Sequence, residues 1–204
     1  HDLGKGLTPA DILPAHHAHE ARSAKLVDTL SARWRVQREV AELARAVAAE
    51  HGNLGKLKEM RPATVHDVLM RCDAIRRPER FVHMLDACEA DKSSRRAVGL
   101  PESAGEPFVA RADTMAALAA MQSVDAGAIA AQLVAAGKPE RIAAEVRDAR
   151  IAAIRDRRDA VAVHRARGLA LRPAHARDRR RSRRDHVRHR PPVRCRARLS
   201  GAGR

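Results

Sequence analysis

The residues able to do chemistry gather in the first twenty positions, and the first pair is an imidazole beside a carboxylate, His1 and Asp2. Neighbouring helical positions diverge by about 100°, so a cation between the two side chains is within reach of both. Imidazole nitrogen with carboxylate oxygen suits Mn, Fe, Co, Ni or Zn better than calcium. A His-Asp pair is also what a solvated turn would show. The Gly-Lys-Gly that follows adds weight, because glycine permits close backbone approach and the Lys5 ammonium can meet a phosphate. Gly4 and Gly6 form a G-x-G, but with no preceding strand and no third glycine it is not a dinucleotide fingerprint. The run HHAHE supplies His16, His17 and His19, and His51 precedes Gly52. Taken alone, the first three read as a polar helix start and His51 as a helix-end residue facing the macrodipole.

Helices must position these groups. Alanine and leucine abound, aromatic residues are 1% of the chain, and β-branched runs are few, so the fold class expected is all-α. Apolar spacing predicts helices from His16 to about Arg33 and from Val36 to His51, the second stopped by Gly52 and Gly55. Thr64 and Asp67 have capping-box spacing for a third helix ending near Arg77, and Pro78 opens a fourth ending near Arg96. A loop follows over Val98 to Pro107. Two alanine-rich helices are expected from Arg111 to Gln122 and from Asp125 to Ala136. Pro139 then restarts a helix carrying Ile142, Val146, Ile151 and Ile154. Beyond Asp159 the pattern dissolves, and the segment is expected to be disordered for lack of apolar surface to bury.

The net charge of +15 is unevenly spread. Arg155 to Arg204 holds 18 Arg against 4 Asp, whereas the preceding 154 residues hold 22 basic and 21 acidic side chains. Cys72, Cys88 and Cys195 form no CxxC, so neither a zinc framework nor a disulfide scaffold is indicated, and a reducing compartment fits. No stretch is read as a span of roughly 18 apolar residues, and no signal pattern opens the chain. The expectation is a soluble, cytoplasmic protein with no membrane partner.

Specificity comes from an ordered set of motifs: HDLGKG-TP-ILP (His1 to Pro14), HHAHE (His16 to Glu20), VAAEHGNL (Val47 to Leu54), RPATVHDVL (Arg61 to Leu69), CDAIRRPERF (Cys72 to Phe81) and CEAD (Cys88 to Asp91). The succession resembles the C-terminal half of the bacterial multifunctional CCA proteins, tRNA nucleotidyltransferases with an appended HD domain. The likeness covers residues 1 to about 95 and, more loosely, VDAGAIAA and RIAAIR out to Arg155. It implies an HD-domain helical bundle over 1–97, a helical region over 98–155 and a basic tail over 156–204. It also implies metal-dependent phosphatase and 2′,3′-cyclic phosphodiesterase activity on tRNA, phosphate-ended RNA or nucleotides. The implied cofactor is a divalent metal, Ni, Mn, Co or Mg, and a homodimer of the longer protein is compatible with the likeness.

By that resemblance His1 and Asp2 match the HD pair, His19 and His51 resemble its further histidines, and Asp73 matches the closing Asp. Asp2 and Asp73 would hold the metal and orient the attacking hydroxide, while Lys5 with His16 or His17 would neutralise charge developing on phosphate. For Asp73 a surface ion pair with Arg76 and Arg77 is the competing reading. The family's first histidine lies upstream of the pair, so the sequence is expected to be a piece of a longer protein whose site is cut through one ligand. A carboxylate pair beside a glycine-rich turn, needed for nucleotide addition, has no counterpart here. The tail reads either as an out-of-frame stretch or as a phosphate-binding RNA tail. Two other readings of the whole stay open: a non-catalytic helical tRNA-binding module, and an inactive gene fragment.

Overall fold

The structure, a computed structural model, describes residues 1–97 and 110–170. Two short 3-10 turns, Leu3–Leu7 and Ala10–Ile12, lead into α1 (His19–Arg33) and α2 (Arg38–Gly55). A turn at Leu57–Glu59 precedes α3 (Pro62–Arg71) and α4 (Pro78–Ala97). Then come α5 (Ala110–Gln122), α6 (Ala126–Ala135), a turn at Pro139–Arg141 and α7 (Ile142–Ala170). No strand occurs among the described residues, and the fold class is all-α.

One apolar cluster holds the helices of the first compact unit, His1–Ala160. Leu54 of α2, Val65 and Leu69 of α3, and Phe81, Met84 and Leu85 of α4 are fully buried. Leu118 and Met121 of α5 and Ile154 of α7 enter the same cluster, so the boundary expected near residue 97 does not divide the core. The Arg158 guanidinium ties α7 down by donating to the carbonyls of Met60 and Leu57 at 2.5 and 2.9 Å. Burying Cys72 and Cys88 in this cluster pushes their thiols up to about 12 and about 11.

Several boundaries depart from the sequence expectation for local reasons. α3 stops at Arg71 because Asp73 adopts a left-handed backbone, φ +55°, at the position after the C-cap. The Ala74 N–H then donates to the Leu69 carbonyl at 3.1 Å and the Asp73 N–H to Met70 at 3.0 Å, a Schellman closure. The Thr64–Asp67 capping box is not formed. Arg61 is the N-cap with Pro62 in the first turn, and the Asp67 carboxylate accepts from His66 and Arg147 instead. Gly52 does not stop α2, which runs on to Gly55. α7 remains helical to Ala170, past the point where loss of order is expected. Of the second unit, Val161–Arg204, the described residues are this helical part. The expected loop at 98–107 and the basic tail beyond 170 lie outside the described residues.

One segment, Arg111–Ala135, is long and apolar enough by length and composition to cross a membrane, contrary to the expectation that no such stretch occurs. It is broken at Ser123–Asp125, where the Asp125 carboxylate caps α6 by accepting from the Ala128 N–H at 2.8 Å. Its first half enters the core through Ala117, Leu118 and Met121, whereas α6 buries no residue.

Candidate metal centre

An antiparallel helix pair sets the site. His19 stands sixteen residues before Arg35 at the α1–α2 turn, and His51 sixteen after it. Two helices folding back at a common turn bring equidistant residues side by side, and the two imidazole rings lie 5.5 Å apart. The Leu3–Leu7 turn packs on the start of α1 and delivers His1 and Asp2 to the same place. Gly4 makes that approach possible: a Cβ there would lie 2.3 Å from the His19 carbonyl oxygen and 2.6 Å from the Ser23 nitrogen. Its buried N–H donates to Ser23 Oγ at 2.8 Å, and the Arg22 guanidinium donates to its carbonyl at 3.1 Å. The first glycine of Gly-Lys-Gly thus serves helix packing.

The cluster is formed by His1, Asp2, His19 and His51. One donor atom from each of His1, Asp2 and His51 falls within a set spanning 4.8 Å. Asp2 Oδ1 lies 3.2 Å from His19 Nε2 and 3.5 Å from His51 Nε2, and Asp2 Oδ2 lies 3.4 Å from His1 Nε2. Both helical histidines are oriented through their other nitrogen. His19 Nδ1 donates to the His16 carbonyl at 2.9 Å and His51 Nδ1 to the Val47 carbonyl at 3.2 Å. A carbonyl only accepts, so each neutral ring carries its proton on Nδ1 and turns an Nε2 lone pair toward Asp2. Two lone pairs and a carboxylate oxygen therefore face one another. Asp2 Oδ1 and His19 Nε2 are buried and make no hydrogen bond among the described residues. A cation is the group that satisfies such a set, and the residues fit a divalent metal of the imidazole-preferring kind.

The Asp2 carboxyl is held below its ordinary value: burial pushes it up, and the hydrogen bond and charge of the Lys5 ammonium at 2.7 Å lead the effects that pull it down. Lys5 is half-buried beside the pair. His16 engages Thr8 Oγ1 through Nδ1 at 2.8 Å, and His17 is exposed. Asp73 is not in the cluster. Its carboxylate accepts from Arg76 at 2.6 and 3.1 Å, with Arg77 and Arg80 each 3.7 Å away, because the left-handed turn after α3 aims it at the start of α4. The structure places it in the ion pairs of the competing reading.

Two acidic residues stand at the site without having been singled out. Asp91 Oδ1 of α4 lies 3.4 Å from His1 Nε2, and Glu20 Oε2 lies 3.3 Å from His19 Nδ1. A signal for Asp91 was present. Phe81, Met84 and Cys88 mark the buried face of α4, and the next position on that face is an acid where the pattern calls for an apolar residue.

Comparison with curated proteins bears on this arrangement. The chain is 51% identical over 130 residues to the multifunctional CCA protein of Cupriavidus necator, covering 64% of this chain and 30% of that protein. It is a relative of the multifunctional CCA proteins. The one from Herminiimonas arsenicoxydans is 42% identical over 156 residues, 76% of this chain and 36% of its own length. The one from Cupriavidus pinatubonensis is 45% identical over 164 residues, 80% and 38%. The chain spans about a third of the length of the multifunctional CCA proteins it matches. No family model and no solved structure matches it.

Proposed function

We propose that His1, Asp2, His19 and His51, with Asp91, hold a divalent transition metal, and that the chain is the phosphohydrolase part of a tRNA CCA-adding and repair protein. The substrates in this reading are 2′,3′-cyclic or terminal phosphates of RNA or nucleotides. The observation that carries it is the buried, unsatisfied convergence of Asp2 Oδ1 and His19 Nε2, 3.2 Å apart, beside a second oriented imidazole. Imidazole-rich donors favour Mn, Co or Ni over Mg. Bound there, the ion would polarise a phosphoryl oxygen and lower the pKa of water.

The chain's own groups supply the rest. Asp2 offers Oδ1 to the imidazole side and Oδ2 to Lys5 and His1. The Lys5 ammonium, half-exposed at 2.7 Å from Asp2, is placed to neutralise phosphate oxygens as charge develops. His16 acts through its carbonyl, which fixes the His19 ring, and Glu20 supports the same nitrogen. Exposed His17 is the second candidate for meeting phosphate charge.

The test is ring opening of 2′,3′-cyclic AMP and phosphate release with added nickel or manganese, with thermal midpoint as a binding readout. Saturating metal at about a hundred times Kd should add about 2.7 kcal/mol of stability. Asp91→Asn should weaken metal affinity by about tenfold or more. No metal-dependent turnover together with no metal-induced rise in midpoint would refute the reading.

A further inference from the structure

The turn joining α1 to α2 carries the chain's single tryptophan, and Trp34 is 68% exposed. It is the C-cap of α1, where its N–H donates to the Leu30 carbonyl at 2.9 Å, so its backbone is held by the helix end while its ring faces solvent. Arg33 and Arg35 flank it. Both are exposed, and neither pairs with a carboxylate among the described residues. Arg38, beyond the turn, is exposed and pairs with Glu42 at 2.8 Å.

The backbone gives an independent observation. Arg35 is left-handed, φ +52°, in a Schellman closure: the Val36 N–H donates to the Ser31 carbonyl at 2.9 Å and the Arg35 N–H to Ala32 at 3.4 Å. The same closure ends α6, where Lys138 and Gly137 donate to Leu133 and Val134 at 2.8 and 3.0 Å, and there the left-handed residue is glycine, φ +67°. A left-handed arginine bears a steric cost that glycine escapes. The α1–α2 turn thus keeps a guanidinium where its fold favours glycine, beside an indole kept out of the core.

An exposed indole face between two unpaired guanidinium groups has the chemistry of a site for an unpaired nucleobase with its neighbouring phosphates. A protein partner would want extended apolar surface around the tryptophan, but the exposed neighbours of Trp34 along the turn, Arg33, Arg35, Gln37 and Arg38, are polar or basic, with Val40 the nearest large exposed apolar side chain in sequence. We propose that this turn is an RNA contact in which Trp34 stacks on an unpaired base while Arg33 and Arg35 bind the flanking phosphates. The assignment of the RNA as the substrate strand rests on the phosphohydrolase reading. Helix α1 runs 15 residues from His19 to the turn, roughly 22 Å. A strand whose end sits at His19 reaches Trp34; a mononucleotide does not. The contact distinguishes RNA from small phosphate esters.

With one tryptophan and no tyrosine, the intrinsic fluorescence of the whole chain reports on Trp34. Titration with an unstructured single-stranded RNA should quench it, less so as salt rises, whereas inorganic polyphosphate should leave it nearly unchanged. Trp34→Ala should weaken binding of labelled RNA, read by anisotropy, about tenfold. Arg35→Gly should also weaken it while leaving the thermal midpoint unchanged or raised, a combination that a purely structural role for Arg35 would not give. Neither variant should alter metal-dependent turnover of 2′,3′-cyclic AMP. Absence of quenching by RNA, equal quenching by polyphosphate, wild-type RNA affinity in Trp34→Ala, or emission that follows protein concentration instead would each overturn the contact. Absence of turnover would refute the phosphohydrolase reading and leave the fluorescence titration to decide the contact.

Discussion

Asp2 and Asp73 both stand at the edge of a helical segment among basic groups, and both carboxyls are held below their ordinary value, yet their surroundings are opposite in kind. At Asp73 the hydrogen bond from Arg76 dominates over burial, with further help from Arg80 and Arg77, so guanidinium cations already meet its oxygens. At Asp2 burial opposes ionisation, and the Lys5 ammonium leads the effects that overcome it. One of its oxygens then faces lone pairs and makes no hydrogen bond. The difference teaches where a cation is wanted. A carboxylate saturated by arginine has no use for a metal, whereas a buried oxygen confronting the Nε2 lone pairs of Nδ1-protonated histidines is a place where a cation fits.

The most severe test of this contrast exchanges each carboxylate for alanine. Asp2→Ala should abolish the metal-induced rise in thermal midpoint and lower metal-dependent hydrolysis by more than the roughly 10–100-fold typical of groups that only orient a ligand. Asp73→Ala should leave metal affinity within about twofold of the parent, because its nearest recorded partners are arginines. Metal titration by calorimetry alongside the activity assay reads both. Equal loss in the two variants would erase the distinction.

Gly4→Ala is the next largest. The added methyl carbon meets backbone atoms of α1 at 2.3 and 2.6 Å, which no side-chain rearrangement relieves. Either the 3-10 turn lifts off α1 and the buried bond to Ser23 is lost, or the helix start shifts. We expect about 1–3 kcal/mol of destabilisation, as for other overpacked sites. Metal affinity should fall as well, since Asp2 is delivered by that turn. Urea unfolding with and without nickel measures the two effects separately.

The cluster was legible through the resemblance, which singled out His1, Asp2, His19 and His51; their types and spacing alone read as a turn, a polar helix start and a helix end. His1 and Asp2 are adjacent, and His19 and His51 are equidistant from a turn whose flanking helices show plain apolar periodicity. Asp73 pairs with arginines for an equally physical reason. It follows a helical run at motif-like spacing, but whether such a residue continues the helix or turns left-handed depends on the closure with Leu69 and Met70, which composition does not reveal. Asp91 was hidden because it reaches the site only through the packing of α4 on α2, a contact of high sequence separation. The extension of α7 to Ala170 was missed because arginine and alanine propagate a helix well, whatever their failure to suggest a core.

The gentlest probe is Asp73→Asn, which keeps a residue tolerant of left-handed backbone and removes only the charge. The sign of its pH dependence follows from the lowered carboxyl of the parent. A carboxyl depressed in the folded state stabilises it above the unfolded pKa of about 3.9, and that contribution disappears as pH falls through the lower folded value. Parent and variant should therefore differ at neutral pH and converge in acid, below about pH 4. The neutral-pH difference should be small, about 1–2 °C in thermal midpoint, because Arg76 is 82% exposed and solvent screens the pair. A difference that widened toward acid would mean that Asp73 is protonated more readily in the folded protein than in the unfolded chain, and the arginine-saturated half of the comparison would fail.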